Sequence, residues 1–443
     1  PLCLVGSEMC IRDRTRGLNM ELKMKSIKGM TLALLMLIAA MAGCIGTEDE
    51  TSDGAEEEKP AFLDASDAGY TYASDVDNHR SLMQDLCDIK TAASDSNWDE
   101  AKNIYTNGKN AQKSDGSYRT LAGFAAASGK NHNYDSFYGQ DGAIGAHIMA
   151  AMDGTGDFTG ASDTVRYQGI AKLTANMGMV GYTIHELNAA VAKADAGNTD
   201  NDSGAPHNWD EGWAFFHGPD EHWSCSPAYT MKKRAADYGT ETNGVSNALA
   251  ASEQAMVDGL AALQAGDKAG YDAATETVIK NIIITYSQAT LKYTMKMDNN
   301  ESAAKYQAEG YAFWKTMEAY AAPYTDGCYN MAVHKVFIMG DIDASTCDAF
   351  IWTNGSMDTS ENATKDTCYN TVTHHVSPDV SSETECDGYA AAYFQDMYGA
   401  EKINEIVNLS DASKHGTSYD VAPHLAMVWD HYGISEAEIG TYQ

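Results

Sequence analysis

The sequence is poor in positive charge. Its 443 residues contain 30 Lys and Arg against 63 Asp and Glu, which gives a formal net charge of −33 and a sequence pI near 4.5. Because binding to a phosphate backbone needs clustered cations, this balance argues against DNA or RNA as a partner.

Proline is also scarce, with eight residues in the chain, whereas methionine and alanine are abundant. This composition favours long helices over a β-sandwich. Hydrophobic residues make up 44% of the chain and include seven Trp, 25 Tyr and ten Phe, which excludes global disorder. We therefore expect an all-α fold with a substantial core.

The sequence has no apolar run long enough to span a bilayer comfortably, but a shorter one lies near its start. Residues 1–19 include a stretch, CLVGSEMCIRDR, that looks like a translated sequencing adapter, and we leave them out of the fold argument. Residues 20–43 then read as a lipoprotein signal peptide, with basic residues before the apolar run Thr31–Met41. The sequence Met-Ala-Gly-Cys ending at Cys44 resembles a lipobox, so Cys44 is the expected lipidation site; an uncleaved signal anchor is the alternative. Residues 44–66 are acidic and predict a flexible tether.

Cysteine pairs with the Cys-x-x-Cys spacing of zinc sites are missing. Without the residues before the mature body, six cysteines remain, and an even number in an exported protein favours up to three disulfides, with 15 possible connectivities. The candidates are Cys87, Cys225, Cys328, Cys347, Cys368 and Cys386. Four of them fall in a loop-rich C-terminal segment, 323–443, which we expect to pack on the helical body.

The body, residues 67–322, carries an internal repeat. DEGWAFF at 210–216 matches AEGYAFW at 308–314, and GYTIHELNAAV at 181–191 aligns with TYSQATLKYTM at 285–295. Apolar residues recur at helical spacing and predict helices at 78–93, 168–194, 248–265 and 270–297. The sequence thus predicts a duplicated helical bundle.

The repeat bears on the polar face of the helix at 168–194, which carries His185 and Glu186. A solvated face would be the ordinary interpretation. The matching face of the second copy is largely apolar, and no soluble protein leaves such a face wholly in water. If the copies occupy equivalent places, His185 and Glu186 point into the bundle, where ionised groups need a counter-charge or a metal.

The other repeated helix supplies further candidate ligands. Glu211 and Glu309 come from the two copies, and His207 lies four residues before Glu211, on the same helical face. Oxygen and imidazole ligands without thiolate suit Fe(III) or Mn better than Cu(I) or structural Zn, and the tyrosine excess favours iron. The predicted metal ligands are Tyr182, His185, Glu186, His207, Asp210, Glu211, Tyr286 and Glu309. The alternative is that Glu211 and Glu309 only hydrogen-bond the neighbouring repeat.

A segment specific to the first copy, KSDGSYRTLAGFAAA at 113–127, predicts a turn followed by a short helix. Arg119 with the hydroxyls of Ser117 and Thr120 would form an anion site at that helix start. A surface Arg119 paired with one of the many acids is the alternative.

With these segments together, the chain resembles the algal low-iron-inducible periplasmic protein family, the phytotransferrin-like iron-assimilation proteins. KSDGSYRTLAGFA, GYTIHELNAAV, APHNWDEGWAFFHG, TYSQATLKYTM and YQAEGYAFW carry the resemblance. It implies an extracytoplasmic protein that captures ferric iron, with carbonate as a possible synergistic anion. The motif positions carried over are Arg119, His185, Glu186, His207, Asp210, Glu211 and Glu309. The lipobox departs from the pattern of a freely periplasmic protein.

The function we expect is therefore iron binding for uptake by a non-enzymatic lipoprotein at the cell surface or in the periplasm, anchored to the membrane by its N-terminal lipid and delivering iron to a transporter. An imelysin-like protein or a di-metal enzyme of iron metabolism is one alternative. The zincin motif His-Glu-x-x-His is broken by Ala189, and the paired Glu-x-x-His pattern of di-iron enzymes is missing. A surface lipoprotein without metal is another alternative, and it predicts His185, Glu186 and Glu211 scattered over the surface.

Overall fold

The helices follow the stretches whose apolar residues recur every three or four positions. A computed structural model describes residues 66–325 continuously, and then 327–330, 332–333, 335–339, 344–353, 366–374, 376–377, 380–389 and 399–443. Within these residues the α-helices are α1 (Asp77–Arg80), α2 (Leu82–Ser94), α3 (Trp98–Asn107), α4 (Leu121–Ala125), α5 (Tyr134–Tyr138), α6 (Ala143–Asp153), α7 (Asp163–Lys172), α8 (Met179–Asp195), α9 (Ala205–Phe216), α10 (Pro227–Tyr238), α11 (Asn247–Ala265), α12 (Lys268–Met295), α13 (Ala303–Ala321), α14 (Ala344–Cys347), α15 (Glu383–Cys386), α16 (Gly399–Ile406), α17 (Ala422–His431) and α18 (Glu436–Ile439).

Short antiparallel hairpins connect and follow the helices. The strands are β1 (Ser66–Asp67), β2 (Tyr70–Thr71), β3 (Glu241–Thr242), β4 (Val245–Ser246), β5 (Gly327–Asn330), β6 (Lys335–Met339), β7 (Phe350–Thr353), β8 (Thr367–Asn370) and β9 (Val376–Ser377). The first six form three two-stranded sheets, and β7, β8 and β9 form one three-stranded sheet. The fold is all-α, as predicted, with strands as minor elements.

The predicted helices are present, with two irregularities. The helix predicted at 78–93 is divided at Ser81 into α1 and α2. The stretch predicted at 168–194 runs from α7 to α8 through a π-helical segment, Leu173–Gly178. The extra residue per turn in such a segment rotates the helix after it relative to the helix before it. Serine and aspartate side chains cap the helix starts at Ser162, Ser246 and Asp267 by accepting backbone N–H bonds.

The two copies of the repeat form two packed helix pairs, α8 with α9 and α12 with α13. A glycine permits the close approach in each pair: a Cβ on Gly212 would lie 3.3 Å from Leu187, and one on Gly310 would lie 3.6 Å from Tyr293. Such a Cβ on Gly212 would also lie 3.6 Å from the Cβ of Glu186.

The region after the bundle has two parts. Helices α16 to α18 pack on the bundle and contribute Ile403, Leu425 and Val428 to its core. The disulfide-rich part, 327–389, has a small core of its own, which contains four cysteines together with Phe350, Val380 and Tyr389. The predicted cysteines are all paired: Cys87 with Cys225 inside the bundle, Cys328 with Cys347, and Cys368 with Cys386.

The predictions for residues 1–65, including the adapter-like stretch, the signal peptide, lipidated Cys44 and nearly all of the acidic tether, lie outside the described residues. Within the described part of the chain, no helix combines the length and apolarity that crossing a membrane requires.

Candidate metal centre

Three helices bring together the polar side chains of the candidate centre. Helix α9 begins with Pro206 in its first turn, where the missing N–H costs no helical bond, and this start places His207 and Glu211 one turn apart on one face. Helix α8 presents Glu186 from the packed neighbour, and the short α1 supplies His79 from more than a hundred residues upstream. These residues form what we call the Glu211 cluster: His79, Glu186, His207 and Glu211.

The geometry of the cluster is centred on one oxygen atom. Oε1 of Glu211 lies 3.2 Å from Nε2 of His79 and 3.2 Å from Nε2 of His207. The His79 side chain is 4% exposed, that of Glu211 14% and that of His207 26%, so His79 and the carboxylate are largely withdrawn from solvent and His207 is partly exposed. Two converging imidazoles beside a carboxylate provide ligand atoms that borderline and hard metal ions accept.

Protonation differs between the two imidazoles. Burial lowers the pKa of His79 to about 4, so this ring is neutral at pH 7, as a metal ligand must be. The hydrogen bond with Glu211 raises the pKa of His207. Burial alone would raise the pKa of Glu211, but its interactions with His207 and His79 outweigh burial and hold that pKa below its usual range.

Of the two carboxyl groups in the cluster, Glu186 has the higher pKa. It is 4% exposed, and burial followed by repulsion from Glu211 raises its pKa to about 8. It accepts a hydrogen bond from the side chain of Asn208 and shares one with Glu211. A neutral Glu186 beside an ionised Glu211 is the expected state of two carboxyl groups that cannot both ionise in a buried site.

Asp210 was predicted as a ligand, and the structure gives its oxygens other partners. They accept hydrogen bonds from the Tyr70 hydroxyl at 2.6 Å, the Ala73 N–H at 2.9 Å, and both the N–H and the hydroxyl of Ser74 at 2.8 Å. Because the Ser74 hydroxyl donates to Asp210, it accepts from Nδ1 of His207, 2.9 Å away. Asp210 therefore orients His207 and leaves its Nε2 directed at Glu211.

His185 is buried, as the symmetry argument expects, but it faces the cluster as a donor. The Asn131 N–H donates to its Nδ1 at 2.8 Å, so the neutral ring carries its proton on Nε2, which lies 3.9 Å from Glu186. Burial lowers the pKa of His185 to about 4, which keeps the ring neutral. In this arrangement His185 presents a hydrogen, and no lone pair, to the cluster.

Several further buried polar atoms near the cluster have no hydrogen-bond partner among the described residues, including Oδ1 of Asn208 and the two considered next. The Tyr182 hydroxyl is one; burial and then Glu186 raise its pKa. The Arg119 Nε is the other, and its guanidinium acts electrostatically on His79. Nδ1 of His79 is likewise buried without a partner in the described part of the chain. Unpaired buried polar atoms are costly, and their concentration here is typical of a binding site.

The structure places the other predicted residues elsewhere. The Glu309 carboxylate has Lys172 as its ion-pair partner, with 3.7 Å between Oε1 and Nζ, and the Tyr286 hydroxyl donates to Asn176 at 2.9 Å. Ser117 is exposed and bonds Asp115 in its own turn, while Thr120 caps α4 by accepting from Gly123. The predicted convergence of Glu211 with Glu309 is not found: Glu211 contacts His79 and His207, whereas Glu309 pairs with Lys172 of the first copy.

His79 was missed by the sequence analysis. It lies in a four-residue helix and shares no motif spacing with α9, so its partnership with Glu211 depends on tertiary packing alone. The side chains of the cluster are in direct contact with one another and do not surround an open position. Among the described residues, no group of three or more His, Cys, Asp or Glu is arranged to hold a metal ion. A metal ion would take the place of the direct contacts between the imidazoles and Glu211.

Comparison with protein families adds an independent line of evidence. Residues 61–326 match the model of the low iron-inducible periplasmic proteins, and this range contains both copies of the repeat and the whole Glu211 cluster. Searches of the curated proteins and of the solved structures give no match. Since the match covers more than half of the chain, the protein belongs to the low iron-inducible periplasmic protein family.

Proposed function

We propose that this extracytoplasmic protein binds ferric iron at the Glu211 cluster and holds it for uptake. The observation that supports the proposal is the convergence of two imidazole Nε2 atoms on one carboxylate oxygen in a buried site, with a second, proton-bearing carboxyl beside it. The family's induction by low iron supplies the biological reason for choosing iron among the metals that such ligands accept.

The ligands proposed are Nε2 of His79, Nε2 of His207 and the carboxylates of Glu211 and Glu186. The six cysteines of the described body are all in disulfides, so thiolate ligation, which would favour Cu(I) or Zn, is not available from them. Binding a cation would displace the proton of Glu186 and any proton on His207, so iron loading should release protons and weaken as the pH falls.

Tyr182 and Arg119 are the remaining residues of the proposed iron site. Ionising the Tyr182 hydroxyl in this buried place requires a nearby cation, and a ferric ion would provide it. The unpaired Arg119 Nε is the group that could hold a synergistic anion such as carbonate. Ser117 and Thr120 are no longer part of this anion site, because their hydroxyls serve local structure.

Lipidation of Cys44, attachment to the membrane and delivery to an iron transporter remain our proposals for how the protein is used. The alternative of a surface lipoprotein without metal required His185, Glu186 and Glu211 to be scattered over the surface. The first two are buried, the third is mostly so, and all belong to one neighbourhood.

The test compares iron retention in matched variants. The full chain is loaded with ferric iron and bicarbonate, passed over a desalting column and analysed for bound iron. His79→Ala, His207→Ala and Glu211→Ala should each lose most of the iron, whereas His147→Ala, a buried histidine on α6, and Glu241→Ala should retain it. Equal losses in all five variants would indicate nonspecific binding by an acidic protein and would refute the proposal.

A further inference from the structure

A second polar site lies elsewhere in the bundle, and its charge is positive. A cavity of about 90 Å³ is lined by α2, the end of α7, the π-helical segment, α10 with the residues before it, α12 and α13. Among the described residues that line it are four cations, Lys90, Lys172, Lys233 and Arg234, and no carboxylate. In a chain with twice as many acids as bases, such a concentration of positive charge calls for a ligand of opposite sign.

Arg234 is the buried donor of this cavity. Its side chain is 5% exposed, and Nη2 lies 2.8 Å from Asp237. Its Nε and Nη1 are buried and form no hydrogen bond of normal geometry among the described residues, although the Tyr293 hydroxyl lies close to the guanidinium. The guanidinium lies over the rings of Tyr293 and Phe313, at 5.5 and 6.0 Å from the ring centroids. Leaving donors of a buried cation unpaired is unfavourable, and an anion in the cavity would pair with the donor that faces it.

The neighbouring cations are crowded. Burial, and to a smaller extent the charges of Lys90, Arg234 and Lys233, lower the pKa of Lys172 to about 8 against the opposing effect of Glu309. Asp237 is already shared between Arg234 and Lys292. The two nearby carboxylates therefore do not neutralise the group, and a ligand with two negative charges would.

Helix α10 adds its N-terminus. It is twelve residues long and is capped by Ser226, whose hydroxyl accepts from the Tyr229 N–H. Ser224, Ser226 and Thr230 line the same cavity. The positive end of the helix dipole thus reinforces the lysines and Arg234.

We propose that this cavity binds a small dianionic oxyanion of the hydrogen phosphate type, with Arg234 as its buried guanidinium donor and Lys172, Lys90 and Lys233 as its counter-charges. The volume corresponds to about three water molecules, far below the roughly 300 Å³ at which pockets for larger organic ligands begin. The cavity therefore has room for an inorganic oxyanion but not for a whole nucleotide or sugar phosphate. It is separate from the Glu211 cluster and does not depend on iron binding.

The experiment titrates inorganic phosphate, and separately sulfate and bicarbonate, into the metal-free full chain by isothermal calorimetry. Saturable binding of one phosphate per chain is expected, with sulfate competing and bicarbonate, a monoanion near neutral pH, binding more weakly. Arg234→Lys keeps the charge but loses the planar fork, and should weaken phosphate binding by about tenfold or more. Lys232→Gln is the matched control, since Lys232 contacts Trp223 and does not line the cavity, and it should bind as the wild type does.

A second variant covers the case in which Arg234→Lys fails to fold. Lys90 and Lys233 are exposed at the mouth of the cavity, so Lys90→Gln with Lys233→Gln should fold normally and still weaken phosphate binding severalfold. No saturable phosphate binding by the wild type would overturn the proposal. Equal affinity in the wild type and these variants, or a preference for bicarbonate, would overturn it as well. Iron retention should be unchanged in all of them, which separates this site from the Glu211 cluster.

Discussion

Replacing Glu186 by Gln should stabilise the metal-free protein while it abolishes iron retention. In the fold the carboxyl has a pKa raised to about 8, against an ordinary value of 4.5. At pH 7 the unfolded chain therefore ionises this group freely, whereas the folded chain must keep it protonated. At pH 7 the cost is set by the interval between the unfolded pKa of 4.5 and pH 7, about 2.5 pH units. This interval corresponds to about 3 kcal/mol by which Glu186 destabilises the folded state at pH 7.

The destabilisation by Glu186 should depend on pH. Because the folded pKa lies above the unfolded one, the contribution of Glu186 to stability is fully present below pH 4.5 and is lost as the pH rises towards 8. Glutamine is neutral throughout and can still donate a hydrogen bond to Glu211. Glu186→Gln should thus change the free energy of unfolding little at pH 4.5 and raise it by about 3 kcal/mol at pH 7.

Urea unfolding of chelator-treated protein at the two pH values measures this difference. Glu253→Gln is the control, because burial raises the pKa of Glu253 to about 7 at a place outside the cluster. It should also stabilise the protein as the pH rises, but it should leave iron retention intact. A Glu186→Gln variant that is equally stable to the wild type at pH 7, or destabilised alike at both pH values, would refute the protonated state assigned to Glu186.

Three further predictions address the groups around the cluster and the scaffold. Asp210→Asn replaces an acceptor of four hydrogen bonds, so it should cost about 2–3 kcal/mol of stability in urea unfolding and reduce iron retention. Asp200 is exposed, and Asp200→Asn should change stability by less than about 0.5 kcal/mol. Iron-loaded wild type should show a visible phenolate-to-iron absorption band that Tyr182→Phe removes; a band that survives would assign the colour to another tyrosine. Removing the Cys87–Cys225 disulfide, which joins residues 138 positions apart, should cost about 4–5 kcal/mol of stability and lower the melting temperature of the bundle. Removing Cys368–Cys386 should leave the bundle core unaffected. Equal effects of the two removals in calorimetry would contradict the description of two separate cores.

The sequence predicted those parts of the fold that depend on local periodicity and on repetition. The helices, the buried position of His185 and Glu186, and the pairing of His207 with Glu211 at four residues' separation all follow from helical spacing. The π-helical segment at 173–178 was not predicted, because apolar residues continue across it at helical spacing.

The parts of the site that could not be predicted depend on contacts between distant segments. His79 lies at the start of the predicted helix 78–93, but nothing in the sequence links it to Glu211, and Asn131 determines the tautomer of His185 from a loop. Asp210 has the chemistry of a ligand, yet the hairpin that contains Tyr70 and the residues after it occupy its oxygens. Residue type and spacing indicate what a group could bind, but only packing decides what it does bind.

The most direct test of the account is anomalous diffraction from crystals of the protein grown or soaked with ferric iron and bicarbonate. We expect one strong iron peak per chain at coordination distance from Nε2 of His79, Nε2 of His207 and the Glu211 carboxylate. Iron peaks found only on exposed carboxylates, with His79 and His207 still in contact with Glu211, would contradict it.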